Sequence, residues 1–149
     1  MSGYFEVVAV EFDRIVLDPV SAPSGKKRWQ FWRRDRRRLW VLEYDVQVRV
    51  TLDVAERVNQ SLDFVIERGF RTDLASIPRI CWLVLSPLDV GMLDSAVIHD
   101  KGYADKVAPR AVVDEIFHFV MRDYQLKWWK AALAYWAVRL FGKPHYGGP

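Results

Sequence analysis

Val46-Gln47-Val48-Arg49-Val50-Thr51 is the stretch on which the fold turns. Valine alternates with a polar residue at a period of two, the signature of a strand with one face on a core and one in solvent. Read outward, this predicts a long strand over Leu39 to Leu52. Upstream, Tyr4 to Phe12 is rich in Val and aromatics, and Arg14 to Leu17 is a short second run. Pro19, Pro23, Ser24 and Gly25 then punctuate a loop. Downstream, Asp63 to Ile66 is β-like and Gly69 breaks it.

Beyond Gly69 the period changes. Met92, Leu93, Ala96 and Val97 fall at helical spacing within Asp89 to Ala104, and Val112, Val113, Ile116, Phe117 and Val120 form an apolar stripe within Ala111 to Tyr124. Pro109 suits the first turn of that second helix. Lys127 to Phe141 reads as a third helix, stopped by Gly142 and Pro144. Strands first and helices later predict an α+β fold, a mostly antiparallel sheet with three C-terminal helices packed on it. We expect one domain over 1–149, β-rich over 4–69 and helical over 70–142, with an unstructured tail over 143–149.

Length and composition narrow the class. At 149 residues, with 51% hydrophobic and 28% charged side chains, the chain is globular and has room for one core. A lone cysteine, Cys81, excludes a disulfide framework and a four-cysteine zinc site. No apolar run reaches the roughly 20 residues of a membrane span. The first ten residues carry Glu6 and no basic segment, so they do not read as a signal peptide. A protein made in the cytoplasm is the expectation.

The net charge of +3 hides an uneven distribution. Lys26, Lys27, Arg28, Arg33, Arg34, Arg36, Arg37 and Arg38 place eight cations within thirteen residues, against Asp35 alone. Three readings stand for this run. One is a β-hairpin with Trp29 and Phe31 turned inward and Arg33, Arg34, Arg36, Arg37 and Arg38 at an exposed turn. Another is a site for an acidic or anionic partner surface. The third is a nucleic-acid strip of cations and stacking aromatics, which no helix-turn-helix, zinc-finger or RNA-binding signature accompanies.

Chemistry-bearing side chains collect elsewhere. His99, Asp100 and Tyr103 lie on the first predicted helix, with Tyr103 four residues after His99 and so on its face. Asp114 and His118 stand at i, i+4 on the second. A reversal over Gly102 to Pro109 is long enough to return the chain antiparallel and bring Asp114 to His99. The His99–Asp114 couple, with Asp73 and Tyr103 beside it, then reads as a general base held in one tautomer. With Asp100 and His118 as ligands it reads as a divalent-cation site. Without substrate access it is a structural clasp. Thr72 or Asp73 is also suited to cap a short turn over Leu74 to Ile77 that Pro78 ends. Arg139 and Gly142 complete the polar segments. No cofactor other than such a cation is indicated.

The third helix carries aromatics nearly all round. Trp128, Trp129 and Trp136 join Leu133, Tyr135, Leu140 and Phe141, which suits core packing, a protein–protein surface, or a membrane interface with Lys127, Lys130 and Arg139 on its polar side. Aromatic and Arg residues are the ones enriched at interface hot spots.

The segments Gly69-Phe-Arg-Thr-Asp-Leu-Ala-Ser-Ile-Pro-Arg79 and Ala96-Val-Ile-His-Asp-Lys-Gly-Tyr103, followed by a helix with Asp114 and Phe117, resemble the domain of unknown function family 1353. The resemblance runs over Tyr4 to Gly142 and rests on Phe70, Thr72, Asp73, Ser76, Pro78, His99, Asp100, Tyr103, Asp114 and Phe117. Members occur mainly in bacteriophages and prophages. The resemblance implies a phage origin and a similar fold; the basic run, the Trp-rich helix and the absence of a complete catalytic motif add the expectation of a virion protein, made in the host cytoplasm, with other virion proteins as partners. The resemblance brings no established activity. A more local similarity is to the type-two phospholipases A, in which a His acts as base for a water, the adjacent Asp holds calcium and a later Asp orients the His. His99, Asp100, Tyr103, Asp114 and Phe117 match that order, but the Gly-rich calcium loop and the disulfides are missing. Two functions follow from these readings. One is a tail, baseplate or connector-region structural component acting through protein contacts. The other is a metal-assisted hydrolase of host-envelope lipid or peptidoglycan.

Overall fold

The computed structural model describes residues 5–20, 40–54, 57–72, 81, 83–86, 89, 91–142 and 146, without the side chains of 57–59. Among the described residues six strands precede three helices: β1 (Phe5–Phe12), β2 (Leu17–Pro19), β3 (Trp40–Leu42), β4 (Val46–Val54), β5 (Arg57–Ile66), β6 (Arg71–Thr72), α1 (Met92–Asp105), α2 (Arg110–Asp123) and α3 (Trp128–Phe141). They form two antiparallel three-stranded sheets, ordered β1-β4-β5 and β2-β3-β6. This is the α+β arrangement, strands first, that the change of period predicts.

β4 is the central strand of its sheet, and its alternation decides the inner face. Val46, Val48, Val50 and Leu52 are buried while Gln47 and Arg49 point outward. Register pairs Val48 with Phe12 and with Phe64, so the neighbouring strands add their own apolar residues to the same side. α2 packs on β1 and on both other helices. Its buried Val112, Ile116, Phe117, Val120 and Met121 close one apolar cluster with the sheet.

Several boundaries differ from the sequence reading. The strand expected over Leu39 to Leu52 is broken at Glu43–Asp45. The Asp45 carboxylate accepts the Arg68 N–H at 2.6 Å, and Glu43 N–H donates to Val16 carbonyl at 3.0 Å. These bonds bend the chain, so β3 and β4 join different sheets. β5 is ten residues long where four were expected, because its polar first half (Asn59, Gln60, Ser61) masks the pattern while backbone pairing to β4 continues. β6 puts Arg71–Thr72 in a sheet, inside the part expected to be helical. Pro109 is the cap residue before α2 and Arg110 its first residue. Tyr146 in the expected loose tail donates to the Ala108 carbonyl at 2.9 Å. The basic-run hairpin with its arginines 33, 34, 36, 37 and 38, and the turn over Leu74 to Ile77 with Asp73, Ser76 and Pro78, lie outside the described residues. Among the described residues no helix is long and apolar enough to cross a membrane.

α1 and α2 cross closely at Gly102, where a Cβ would stand 2.7 Å from Val113 Cγ1. Alanine for glycine inside a helix ordinarily gains about 1 kcal/mol. Here the branched Val113 side chain cannot swing away, and overpacking of this kind costs roughly 1–3 kcal/mol. We expect Gly102→Ala to lower the urea midpoint and Val113→Ala in the same chain to recover most of the loss. An unchanged midpoint in the single variant would show that the crossing has slack.

Candidate functional site

The polar centre of the molecule is assembled from all three helices. α1 supplies His99 and Tyr103 from one face, α2 supplies Asp114 from its first turns, and α3 supplies Arg139 from its last. His99 and Asp114 have no exposed surface and Tyr103 has 2%. His99 Nε2 lies 3.0 Å from Asp114 Oδ1, and the Tyr103 hydroxyl donates to the same oxygen at 2.5 Å. Arg139 donates to Oδ2 at 3.0 Å, and Arg110, one turn before Asp114, brings its Nε within 3.7 Å of Oδ2. That Nε donates to the Tyr103 oxygen at 3.1 Å, while the Arg110 guanidinium also holds the Val138 carbonyl at 2.8 Å and that of Arg139. Gly142 makes room for this, since a Cβ there would meet the Tyr103 oxygen at 2.8 Å.

The other side of the His99 ring differs. Nδ1 is buried and has no hydrogen-bond partner among the described residues. Its nearest carboxylate is Asp100 Oδ1 at 4.0 Å, beyond hydrogen-bonding range, so Asp100 acts on the ring through its charge. Asp100 Oδ2 accepts from the Thr72 hydroxyl of β6. Next along α1, Lys101 is 6% exposed at its side chain, pairs with Glu67 and with Asp105 at 2.8 Å, and lies 5.5 Å from the Phe70 ring centre. Residues 67 to 72 and 99 to 101 thus join the second sheet to α1.

Electrostatics follow from this geometry. Burial pulls the His99 pKa down, but the Asp100 and Asp114 carboxylates outweigh it and the imidazole holds its proton above its ordinary range. Burial pushes Asp114 up, and His99, Tyr103 and Arg139 together hold it below the usual carboxylate range. Burial, then the Asp114 carboxylate, raise Tyr103, which stays protonated and acts as a donor. The arrangement is a neutralised buried carboxylate, with its oxygens committed to groups from three helices.

His99, Asp114 and Tyr103 are therefore brought together as their spacing predicts, with Asp100 against the second nitrogen. His118 stands apart from this centre: it is partly exposed, 4.0 Å from Glu115 and stacked near the Tyr135 ring. Burial, then Arg122, lower its pKa despite Glu115. Among the described residues no group of three His, Cys, Asp or Glu side chains is arranged to hold a metal ion. Sequence reasoning missed Arg110, although its i, i+4 relation to Asp114 was legible, and missed Lys101 and Glu67, which only tertiary packing pairs. Trp128, Trp129 and Trp136 all lie on the exposed side of α3.

The pH dependence of stability has a definite sign. A raised His99 pKa contributes stability that is complete below its ordinary 6.5 and is lost as pH rises through the folded value. A lowered Asp114 pKa contributes stability that is present above 3.8 and is lost as pH falls below it. Urea unfolding should therefore give a plateau between these limits with a decline on both sides. His99→Gln should remove the alkaline decline and cost about 3 kcal/mol, as expected for breaking a buried pair. A wild-type alkaline limb that survives in His99→Gln would assign it to another group.

A family model matches residues 47–138, which run from the second residue of β4 through the first eleven residues of α3 and contain every member of the polar centre except Arg139. The match leaves out the basic run and the tail, and it is shorter at the N-terminus than the Tyr4 to Gly142 span of the resemblance. No curated protein and no solved structure matches the chain. The chain belongs to the family described as protein of unknown function DUF1353.

Proposed function

We propose that this chain is a structural component of a bacteriophage particle, in the tail, baseplate or connector region, and that it works by holding neighbouring proteins. The observation that carries this reading is the outward face of α3. Trp128, Trp136, Leu140 and Phe141 are 70%, 58%, 69% and 57% exposed. Large apolar groups exposed together along one helix mark an interaction surface, because leaving them in water forgoes roughly 25 cal/mol per Å². The polar centre supports the same reading from the other direction. Its carboxylate is saturated by internal donors and has no surface for a substrate to reach, which is how a clasp between helices is built. The phage setting comes from the family resemblance of the Gly69–Arg79 and Ala96–Tyr103 segments.

A metal-assisted hydrolase is the second reading, favoured by the Nδ1 of His99, which faces the Asp100 carboxylate at 4.0 Å and has no hydrogen-bond partner among the described residues. A ring nitrogen held on one side by a carboxylate and free on the other is what a general base requires.

Two measurements separate these. Mass spectrometry of purified particles released from cells encoding the chain should find it at a stoichiometry comparable to that of other structural proteins. Trp128→Glu with Trp136→Glu should reduce its incorporation at least about tenfold while changing thermal stability little, since exposed substitutions stay within about 0.5 kcal/mol. Particles that contain none of the chain would refute the structural role. Hydrolysis of phospholipid or peptidoglycan by the purified chain, lost in a folded His99→Gln variant, would establish the enzyme instead.

A further inference from the structure

α3 is built inside out for a surface helix. Its inward side is Ala131, Ala134, Ala137 and Val138, all buried, so small residues carry the packing on the rest of the molecule. Its outward side carries Trp129, Leu133, Trp136 and Leu140, spaced four, three and four residues apart and 40%, 38%, 58% and 69% exposed. That spacing is the 3.5-residue repeat of a coiled-coil seam, so the occupant it fits is another helix of the same repeat. The seam is free of charge. Of the cations on α3, Lys130 is engaged by Asp89 at 2.6 Å and Arg139 by Asp114 at 3.0 Å, both within the same chain.

The same seam is complementary to itself when reversed. Setting Leu133 against the partner's Trp136 also sets Trp129 against the partner's Leu140, because both pairs are symmetric about the midpoint between Ala134 and Tyr135. Every Trp then meets a Leu, and the contact is isologous, as a two-fold dimer requires. A parallel pairing in register would instead set Trp on Trp and Leu on Leu. Running antiparallel also opposes the two helix dipoles and directs the exposed Lys127 toward the C-terminal end of the partner's α3, where a cation is favoured. Counting Trp128 and Phe141 at the two ends of the helix, the exposed apolar area of α3 is roughly 700 Å², below the ~800 Å² that each partner buries in an interface of standard size and suited to a weak dimer.

We propose that α3 pairs antiparallel with α3 of a second copy of this chain, with Leu133 and Trp136 at the centre. This rests on the reading of α3 as a docking face and names its occupant. Sedimentation equilibrium of the purified chain should show a dimer at about 100 µM or below. Leu133→Glu and Trp136→Glu should each weaken it at least about 100-fold, with far-UV circular dichroism preserved because neither side chain is in the core. For the register, Leu133→Cys and Trp136→Cys chains mixed under mild oxidation should cross-link faster than either alone; Cys81 is buried and does not compete. A chain that stays monomeric at about 100 µM overturns the dimer. So does a dimer indifferent to both Glu variants, or one in which Leu133→Cys alone cross-links fastest. The dimer and the particle role fail separately: a monomer found in purified particles removes only the dimer, and a dimer absent from particles removes only the particle role.

Discussion

A single carboxylate, that of Asp114, organises the helical half of this protein. It has no contact with water, and an isolated ionised carboxylate in such a place would cost several kcal/mol. What offsets that cost comes from His99 and Tyr103 on α1, Arg110 on its own helix and Arg139 on α3. Three helices must stand in one relative arrangement for these donors to converge. A uniformly apolar core would tolerate sliding or rotation of the helices, whereas a charge that must be met by directional donors does not. The Arg110 guanidinium extends this outward to the last carbonyls of α3, and the Tyr146 ring closes edge-on over Tyr103 at 5.3 Å.

A second joint fixes the helices to the β part. Thr72 reaches Asp100, Glu67 reaches Lys101, and Phe70 lies under the Lys101 ammonium. The two most distinctive sequence segments of the chain therefore meet each other, and their polar residues serve the seam between sheet and helix. α1 is buried nearly all round because of this. Ser95 turns its hydroxyl back to the Met92 carbonyl at 2.9 Å, and Lys101 can lose its water only because the Glu67 and Asp105 carboxylates replace solvent as acceptors for its ammonium protons. His99 sits between the two joints, with Asp114 on one nitrogen and the charge of Asp100 facing the other. A shift at either joint is felt at the same ring.

α3 shows how packing inside one molecule and packing between molecules divide a helix. Its alanines let the backbone approach α2 closely, and this is what allows Arg139 to reach Asp114. The same choice leaves the large residues with nowhere inside to go. Tyr135 alone turns sideways, donating to Glu115 at 2.6 Å, with burial and then Glu115 raising its pKa to about 12. The polar centre and the outward apolar face are thus two consequences of one helix placement.

By itself the sequence determined the elements whose signal is periodic and local. The alternation of β4, the stripes of α1 and α2, and the i, i+4 placement of His99 with Tyr103 each depend on residues a few positions apart, so one chain segment contains the whole pattern. The approach of His99 to Asp114 was also legible, because a short reversal leaves the chain few ways to return. The break between β3 and β4 was not, since the Asp45–Arg68 bond that bends the chain joins residues far apart in sequence. Nor was the polar first half of β5, which holds its place by backbone pairing to β4 rather than by side-chain pattern. Aromatics all round α3 left core and surface open alternatives. Only the tertiary structure turned Ala131, Ala134 and Ala137 inward, because the distance to α2, fixed by the donors that converge on Asp114, admits small side chains and excludes tryptophan.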